Sequence, residues 1–320
     1  MNDNMATSNA QHTPAPDVIR LSGNCMRRFI AEALAIAVVF GAAFAALTGR
    51  AVAAADDEQA ALQSDRAFQD ALKNADKSTL GKLLDTNFEW TDADGKTRSK
   101  AEAIENLSAL ATDNQGDTDV HTHLFGEVER IVGSHHNANF VRIWVRSTAG
   151  WRALIDIDTP IPAKGYPPSH PSPPIAADKD CQNPCKMLPY KPANQAQQAA
   201  VDTWLRLKMD EWHAVPDDWT KYTSENLMII SPSQHMGKAE RLAALEKQKE
   251  TYGGGSPSPA VESMKMYDFG NTVIMTALHA PGNAGKRAYA VRMFANENGA
   301  GWKIVLSAQT DIQSPPTATK

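Results

Sequence analysis

The chain has no long basic run. Its formal net charge of -5 and acidic pI near 6.0 leave no clustered Lys and Arg for a nucleic-acid groove, whose affinity depends on such clusters. A GxxxxGK[ST] phosphate loop is also missing. The glycine cluster "TYGGGSPSP" (251–259) leads into strand-like sequence rather than into a helix. There is no Ser-His-Asp or Cys-His nucleophile pattern. No His follows Cys185, which excludes haem attachment on pattern. Long clean apolar runs are lacking too. The best, residues 33–47, is interrupted upstream by Glu32 and falls below the ~20 residues needed to span a bilayer.

What is there begins with an address. "MRRFIAEALAIAVVFGAAFAALTGRAVAAADDE" has Arg27 and Arg28 as a positive n-region, then the apolar run, then small-residue cleavage sites at Ala51–Ala53 and Ala53–Ala55 before Asp56 and Asp57. This predicts a leader over 1–55, removed on export to the periplasm or outside the cell. A membrane anchor is the competing reading, and membrane contact would then come only through an uncleaved leader. The Arg pair leaves Sec or twin-arginine export open, and Met26 is an alternative start.

Cleavage removes Cys25, one of the three cysteines. Cys181 and Cys185 remain in "CQNPC", and in an oxidising compartment the default for such a pair is a short disulfide. A metal site there would need two further ligands, and only His170 is near in sequence. No metal or cofactor is expected. Ten of the nineteen prolines fall between 160 and 192. Proline removes the backbone donor and fixes φ, so 161–193 reads as a semi-rigid linker.

The segments on either side repeat each other. "SKAEAI" (99–104) matches "GKAERL" (237–242), "VRIW" (141–144) matches "VRMF" (291–294), and "GWRALIDIDT" (150–159) matches "GWKIVLSAQT" (301–310). "NFEW" (87–90) likewise matches "NLMI" (226–229). Four matches in one order imply a tandem duplication, with domains at 56–160 and 194–313 and a short tail at 314–320.

Within each copy the periods are local and clear. Ala61, Phe68, Leu72 and Ala75 fall near one face of a helix over about 57–74. Asp76 begins a second short helix carrying Leu80, Leu83 and Leu84. "NFEWT" alternates as a strand, and "DADGKT" supplies Asp-Gly turn chemistry. Ser99 followed by Glu102 predicts a capping box. Strands are expected over about 119–133, 138–147 and 150–159, and in the second copy over 260–268 and 271–279 (one strand, bent), then 287–295 and 301–311.

Residues 62–107 with the closing "VRIWVRSTAGWRALIDIDT" resemble the SnoaL-like branch of the nuclear-transport-factor-2-like superfamily, of the domain of unknown function 4440 type. The pattern is Asp before "L..LL", then "F.W.D.DG....KAE", then "V.V....G.W". The second copy is looser, lacking the Asp-Gly turn. The resemblance implies an α+β fold: two tandem cone-shaped barrels, each a bent antiparallel sheet wrapped on about three helices, with a pocket at the open end. It leaves activity open, because fold does not fix function.

Several residues carry candidate chemistry. His121 and His123 alternate on a strand and so share a face. With His135 or His136 they make a metal site conceivable, against a solvated strand end. Asp156 and Asp158 interrupt an apolar run and must be paired, outward-facing, or neutralised in a cavity, where a raised pKa suits acid–base work. Arg142 and its match Arg292 need a carboxylate, a ligand anion or water. Trp151 and Trp302 read as core, and Trp90 and Trp144 as core or as the lining of a pocket mouth.

The ligand-binding candidates are therefore Trp90, His123, Arg142, Trp144 and Asp156, with Asp156 the sole candidate for catalysis. Two readings compete. One is an exported protein binding a small, partly apolar ligand, or assembling through its sheets, without catalysis. The other is an isomerase, dehydratase or cyclase using Asp156 in the first cavity. Such domains pair through their sheets, so the tandem is expected to form an internal pseudo-dimer or a homodimer. Copy 1 keeps Glu89, Trp90, Asp156 and Asp158 where copy 2 has Met228, Ile229, Ser307 and Gln309, which places any ligand in copy 1. Intact-mass analysis of the exported protein should find an N-terminus near Asp56, and a mature chain retaining 30–50 would refute the leader.

Overall fold

The computed structural model describes residues 55–167, 181–255, 257–282 and 285–313, and in it both Lys-Ala-Glu triplets serve the same purpose. The Glu102 carboxylate accepts from the Ser99 backbone N–H at 2.8 Å, and Glu240 accepts from the Gly237 N–H at 2.9 Å. Lys100 Nζ donates to the carbonyls of Gly81 and Leu84, each at 2.7 Å, and Lys238 Nζ donates to the Thr223 carbonyl at 3.1 Å. Each Glu closes the start of a helix. Each Lys ties that helix to the beginning of the strand before it.

The first half runs α1 (55–73), α2 (Lys77–Leu83), β1 (Leu84–Thr91), β2 (Thr97–Ser99), α3 (Lys100–Glu105), α4 (Leu107–Asp113), β3 (Thr118–Phe125), β4 (Val128–His135), β5 (Ala138–Ser147) and β6 (Gly150–Pro160). The second runs α5 (Gln195–His213), α6 (Pro216–Trp219), β7 (Thr223–Ser231), β8 (Gln234–Gly237), α7 (Lys238–Tyr252), β9 (Val261–Asp268), β10 (Thr272–His279), β11 (Ala288–Asn296) and β12 (Trp302–Asp311). The strand orders are β2-β1-β6-β5-β4-β3 and β8-β7-β12-β11-β10-β9, so the two halves share one topology. Each is a six-stranded sheet with helices on one face, the α+β cone expected.

Three details depart from the sequence expectation. The sheets are mixed rather than wholly antiparallel, because β1 lies parallel to β6 and β7 parallel to β12. The long excursion between those partners permits a parallel neighbour, which a tight hairpin does not. The run over 119–133 is two strands, turned at Gly126 with φ +66°, and 260–279 is likewise broken at Gly270 with φ +74°. Glycine reaches this left-handed region without penalty. Ala75, finally, is exposed in a left-handed turn (φ 53°) after α1 has ended.

Strands in the centre of each sheet are buried on both faces. Val128, Val132, Val141, Ile143, Ile155 and Ile157 pack with Ile274, Val291, Met293 and Leu306 of the other sheet in one apolar layer. On the opposite face, Phe88, Trp90, Ile131, Phe140 and Trp144 meet Phe68, Leu80 and Leu110 of the helices. Trp204, Trp219, Val273, Met275 and Phe294 do the same in the second half. Strands covered on both sides read as near-continuous apolar runs, which is how "VRIWV" arises.

Polar groups cross the shared layer only where they find partners. Arg130 Nη1 donates to the carbonyls of Asn226 (2.8 Å) and Val305 (2.6 Å). Glu89 receives Lys265 Nζ at 2.5 Å and the Tyr289 hydroxyl. Gly95, at φ +78°, lies so close to the end of β12 that a Cβ would sit 2.7 Å from the Asp311 carbonyl. The Asp-Gly turn of the first half is therefore also a contact with the second.

Residues 1–54, 168–180 and 314–320 lie outside the described residues; these include the expected leader, His170 and the tail. Among the described residues, no helix is long and apolar enough to cross a membrane. Cys181 and Cys185 are joined by a disulfide with Cα atoms 5.4 Å apart. The segment around them is docked rather than a bare spacer. The Asn183 side chain donates to the Val261 carbonyl at 2.8 Å and accepts from its N–H at 3.0 Å, and Leu188 is part of the second core. Asn183 thereby pairs the first residue of edge strand β9. Cys185→Ser should cost about 2 kcal/mol and should speed hydrogen exchange in Val261–Asp268. Exchange in that strand unchanged by the substitution would show that the disulfide segment adds nothing to the second domain.

Candidate functional site

The ladder register sets out corresponding positions across the two cones. In the first, Trp90, Asp156, Arg142 and Ile131 lie side by side on β1, β6, β5 and β4. In the second, Ile229, Ser307, Arg292 and Met275 hold those positions. His135 lies opposite Ala138, and His279 opposite Ala288, so the two histidines also correspond. Both helical hairpins turn through a left-handed alanine, Ala75 and Ala214. Counting back from these turns, Asp65 corresponds to Trp204 and Gln69 to Lys208.

In the first cone Arg142 is fully enclosed by acids and amides. Its Nε donates to Asp65 Oδ1 at 2.9 Å, Nη1 to Asn114 Oδ1 at 2.9 Å, and Nη2 to Asp65 Oδ2 at 3.3 Å and to Asp117. With its amide oxygen turned towards Nη1, Gln69 accepts a further bond at 2.8 Å. The guanidinium lies 4.1 Å over the Phe140 ring. Burial disfavours its charge, but Asp65, Asp156 and Asp117 outweigh that and hold it protonated.

His135 closes the network, with Nδ1 3.2 Å from Asp117 and Nε2 2.9 Å from Asp158. Burial alone would lower its pKa, yet these two carboxylates push it up to about 9. Two cations thus face four carboxyl groups, and the surplus of acid falls on Asp156. Both its oxygens are buried without a hydrogen-bond partner. Burial and Asp158 raise it to about 7, against the opposing pull of Arg142, His135 and the Asn114 side chain.

Of the residues singled out from the sequence, Trp90, Arg142, Trp144 and Asp156 share the cone interior. Trp144 donates to Asp65 at 3.0 Å, and Arg98 stacks 4.2 Å over Trp90. His123 does not join them. It stacks at 4.4 Å on Phe125, which belongs to the layer between the sheets, whereas His135 faces the cone. The strand alternation that puts His121 and His123 together also turns them away from His135. Glu89 likewise faces the second sheet. Asp158 pairs with His135 rather than with Arg142 or Arg152.

Sequence reading missed Asp65, Asp117 and Glu129. Glu129 is fully buried on β4, both oxygens lack a partner, and burial with the nearby Glu58 pushes it up to about 8. Its place between Val128 and Arg130 on a strand covered on both sides was the available signal.

The second cone is arranged differently. A cavity of about 660 Å³ opens at its mouth, lined by residues that include Lys208, His279, Lys286, Arg292, Gln309 and Asp311. Pro232, Pro257, Pro259 and Ala288 supply apolar wall. A volume of this order suits a small organic molecule. Trp204 stands where Asp65 stands in the first cone, so Arg292 lies 5.2 Å over an indole instead of on a carboxylate.

No family model matches the chain, and no curated protein matches it. Solved structures do resemble parts of it. An NTF2-like protein with a cystatin-like fold from Novosphingobium aromaticivorans is 14% identical, covering 37% of this chain and 89% of its own, with a TM-score of 0.32. An NTF2-like protein from Cytophaga hutchinsonii is 17% identical over 31% of this chain and 94% of its own (TM-score 0.27). An NTF2-like superfamily protein from Salmonella enterica is 13% identical over 35% and 95% (TM-score 0.29).

Asp156 gives a pH test. With a folded value of about 7 against 3.8 for the ordinary carboxyl, the folded state holds more protons between those limits. Stability therefore falls as pH rises through that interval, and the cost is fully present above it. Asp156→Asn should be more stable than wild type near pH 8, by on the order of 1 kcal/mol or more, and should lose that advantage by about pH 4. Denaturant melts at the two pH values measure it. A variant destabilised at the higher pH would mean that the carboxylate is ionised and held by Arg142.

Proposed function

We propose that this is an exported, two-domain NTF2-like protein that binds a small, partly apolar ligand at the mouth of its second cone, without catalysis there. The observation that carries the reading is the cavity of about 660 Å³, with polar groups converging on a wall of proline and alanine. The proposal moves the ligand from the first cone, where sequence comparison put it, to the second. In the first cone Arg142 and His135 are paired with Asp65, Asp117 and Asp158. In the second the corresponding Arg292, His279 and Gln309 line the cavity.

The two halves are read as products of tandem duplication, which their shared strand order supports. They act as an internal pseudo-dimer, each sheet covering the face that the other would expose. Export rests on the leader pattern of Arg27, Arg28 and the apolar run after them.

A second reading is favoured by one specific feature of the first cone. Asp156 and Glu129 are buried acids without hydrogen-bond partners, raised towards or above neutrality. Such groups are poised to give or take a proton, as an isomerase or dehydratase requires. Turnover of a β,γ-unsaturated ketone that is abolished by Asp156→Asn would establish it.

The binding reading is tested by screening small molecules against the full chain by ligand-observed NMR. Ala288→Phe places a ring in the cavity wall and should abolish the response to any hit. Asp156→Asn should leave it unchanged. A response lost in Asp156→Asn and kept in Ala288→Phe would return the ligand to the first cone.

A further inference from the structure

The second cone buries more positive charge than it neutralises. Arg292 is 3% exposed, and no carboxylate among the described residues bonds to it. Nη1 donates to the carbonyls of Ala308 and Val291, Nη2 donates to Gln309 Oε1 at 2.9 Å, and Nε has no partner. Among the described residues, the acid that acts on it through space is Glu211. That carboxylate is already committed to Lys208 at 2.7 Å and to Arg241 at 3.3 Å. Three cations therefore share one anion. A buried cation without a counter-charge is costly, and burial lowers the pKa of Arg292 to about 10.

The first cone shows what is missing. There the corresponding Arg142 has Asp65 and Asp117, whereas the second cone has Trp204 where Asp65 would be. Asp158 and Asp156 are likewise replaced by Gln309 and Ser307. Every substitution removes negative charge from around the same guanidinium, and of the residues at these positions Arg292 and Gln309 line the cavity, while Trp204 and Ser307 line a smaller space beside Lys208. Lys208 and Lys286 line it as well, against the single carboxylate Asp311.

We infer that the cavity of the second cone takes a small organic carboxylate, whose anionic head supplies the counter-charge that Arg292 lacks. The inference rests on the binding reading above and gives it a ligand class. The apolar wall of Pro232, Pro257, Pro259 and Ala288 receives the body of the molecule and favours a carboxylate over inorganic phosphate. His279 adds an acceptor. Its Nδ1 lies 3.1 Å from the Pro259 carbonyl, so Nδ1 carries the proton and Nε2, buried and unpartnered, presents a lone pair. A hydroxyl on the ligand would satisfy it.

The test uses the full chain at fixed ionic strength, titrated with benzoate, the neutral isostere benzamide, and inorganic phosphate. Thermal shift reads the response, and NMR reads the arginine Nε–H signals. Benzoate should raise the melting temperature and move one buried arginine signal, while benzamide and phosphate bind at least about tenfold more weakly. Arg292→Met should weaken benzoate by about tenfold or more. Without ligand it should melt no lower than wild type, because it removes an uncompensated charge.

Equal responses to benzoate and benzamide would overturn the carboxylate assignment while leaving the binding reading intact. Phosphate binding in preference to benzoate would overturn it in favour of an inorganic anion. Benzoate binding that survives Arg292→Met would place the anion elsewhere. Silence from all three probes would overturn the inference, and if the small-molecule screen of the unmodified full chain found no hits either, the binding reading would fall with it. Should Arg292→Met not fold, the Nε–H signal of wild type decides alone: a signal unmoved by saturating benzoate refutes the contact.

Discussion

A buried guanidinium sits at the centre of each cone, and its surroundings have to answer that charge. Arg142 and Arg292 occupy the same ladder position, between the strand that closes the sheet and the strand behind it. In one cone the answer is a set of carboxylates brought from helix α1, the segment before β3 and strand β6. In the other it is three carbonyl-type oxygens and an aromatic face, which accept the hydrogen bonds without cancelling the charge. Hydrogen bonding and charge compensation are separate requirements, and only the first cone meets both.

That difference sets the character of each interior. The first is closed on itself by Arg142, His135, Asp65, Asp117 and Asp158, with Asp156 left as the protonatable remainder. Around Arg142 and His135 the polar groups fix one another in place. The second trades those acids for Trp204, Ser307 and Gln309. It retains a cavity and a positively charged wall, with Arg292 Nε and His279 Nε2 among its unpartnered nitrogen atoms. One cone encloses a protonatable acid, and the other holds a cavity with cationic lining.

Each sheet buries its second face against the other. The face of each sheet away from its helices is Val, Ile, Leu and Met, and the two faces cover each other in one apolar layer. Arg130 bonding to two carbonyls, and Glu89 receiving Lys265 and Tyr289, pin the register of that layer with directional contacts. The Asp-Gly turn at Gly95 is held against β12 from the other half. Each domain thus completes the surface of its neighbour, which is why the two must lie on one chain or meet as copies.

The sequence by itself determined the repeated order of elements, the capped helices at Lys100 and Lys238, and the apolar strands of each sheet. These depend on neighbours a few residues apart, and hydrophobic period, caps and turn residues record such neighbours directly. It also marked Arg142, Asp156 and the tryptophans as residues needing explanation, because charge within an apolar run always does. Tertiary structure alone decided which acid meets which base. Asp65 lies 77 residues from Arg142 and Asp158 lies 23 from His135, and no local pattern ties them together. Strand alternation gave His123 and Glu89 a face, but only the packing of the second sheet decided that this face was an interface rather than a pocket. The exchange of Asp65 for Trp204 was present in the aligned halves all along. Its consequence, a buried cation facing an open cavity, appears only once the helix is laid across the sheet.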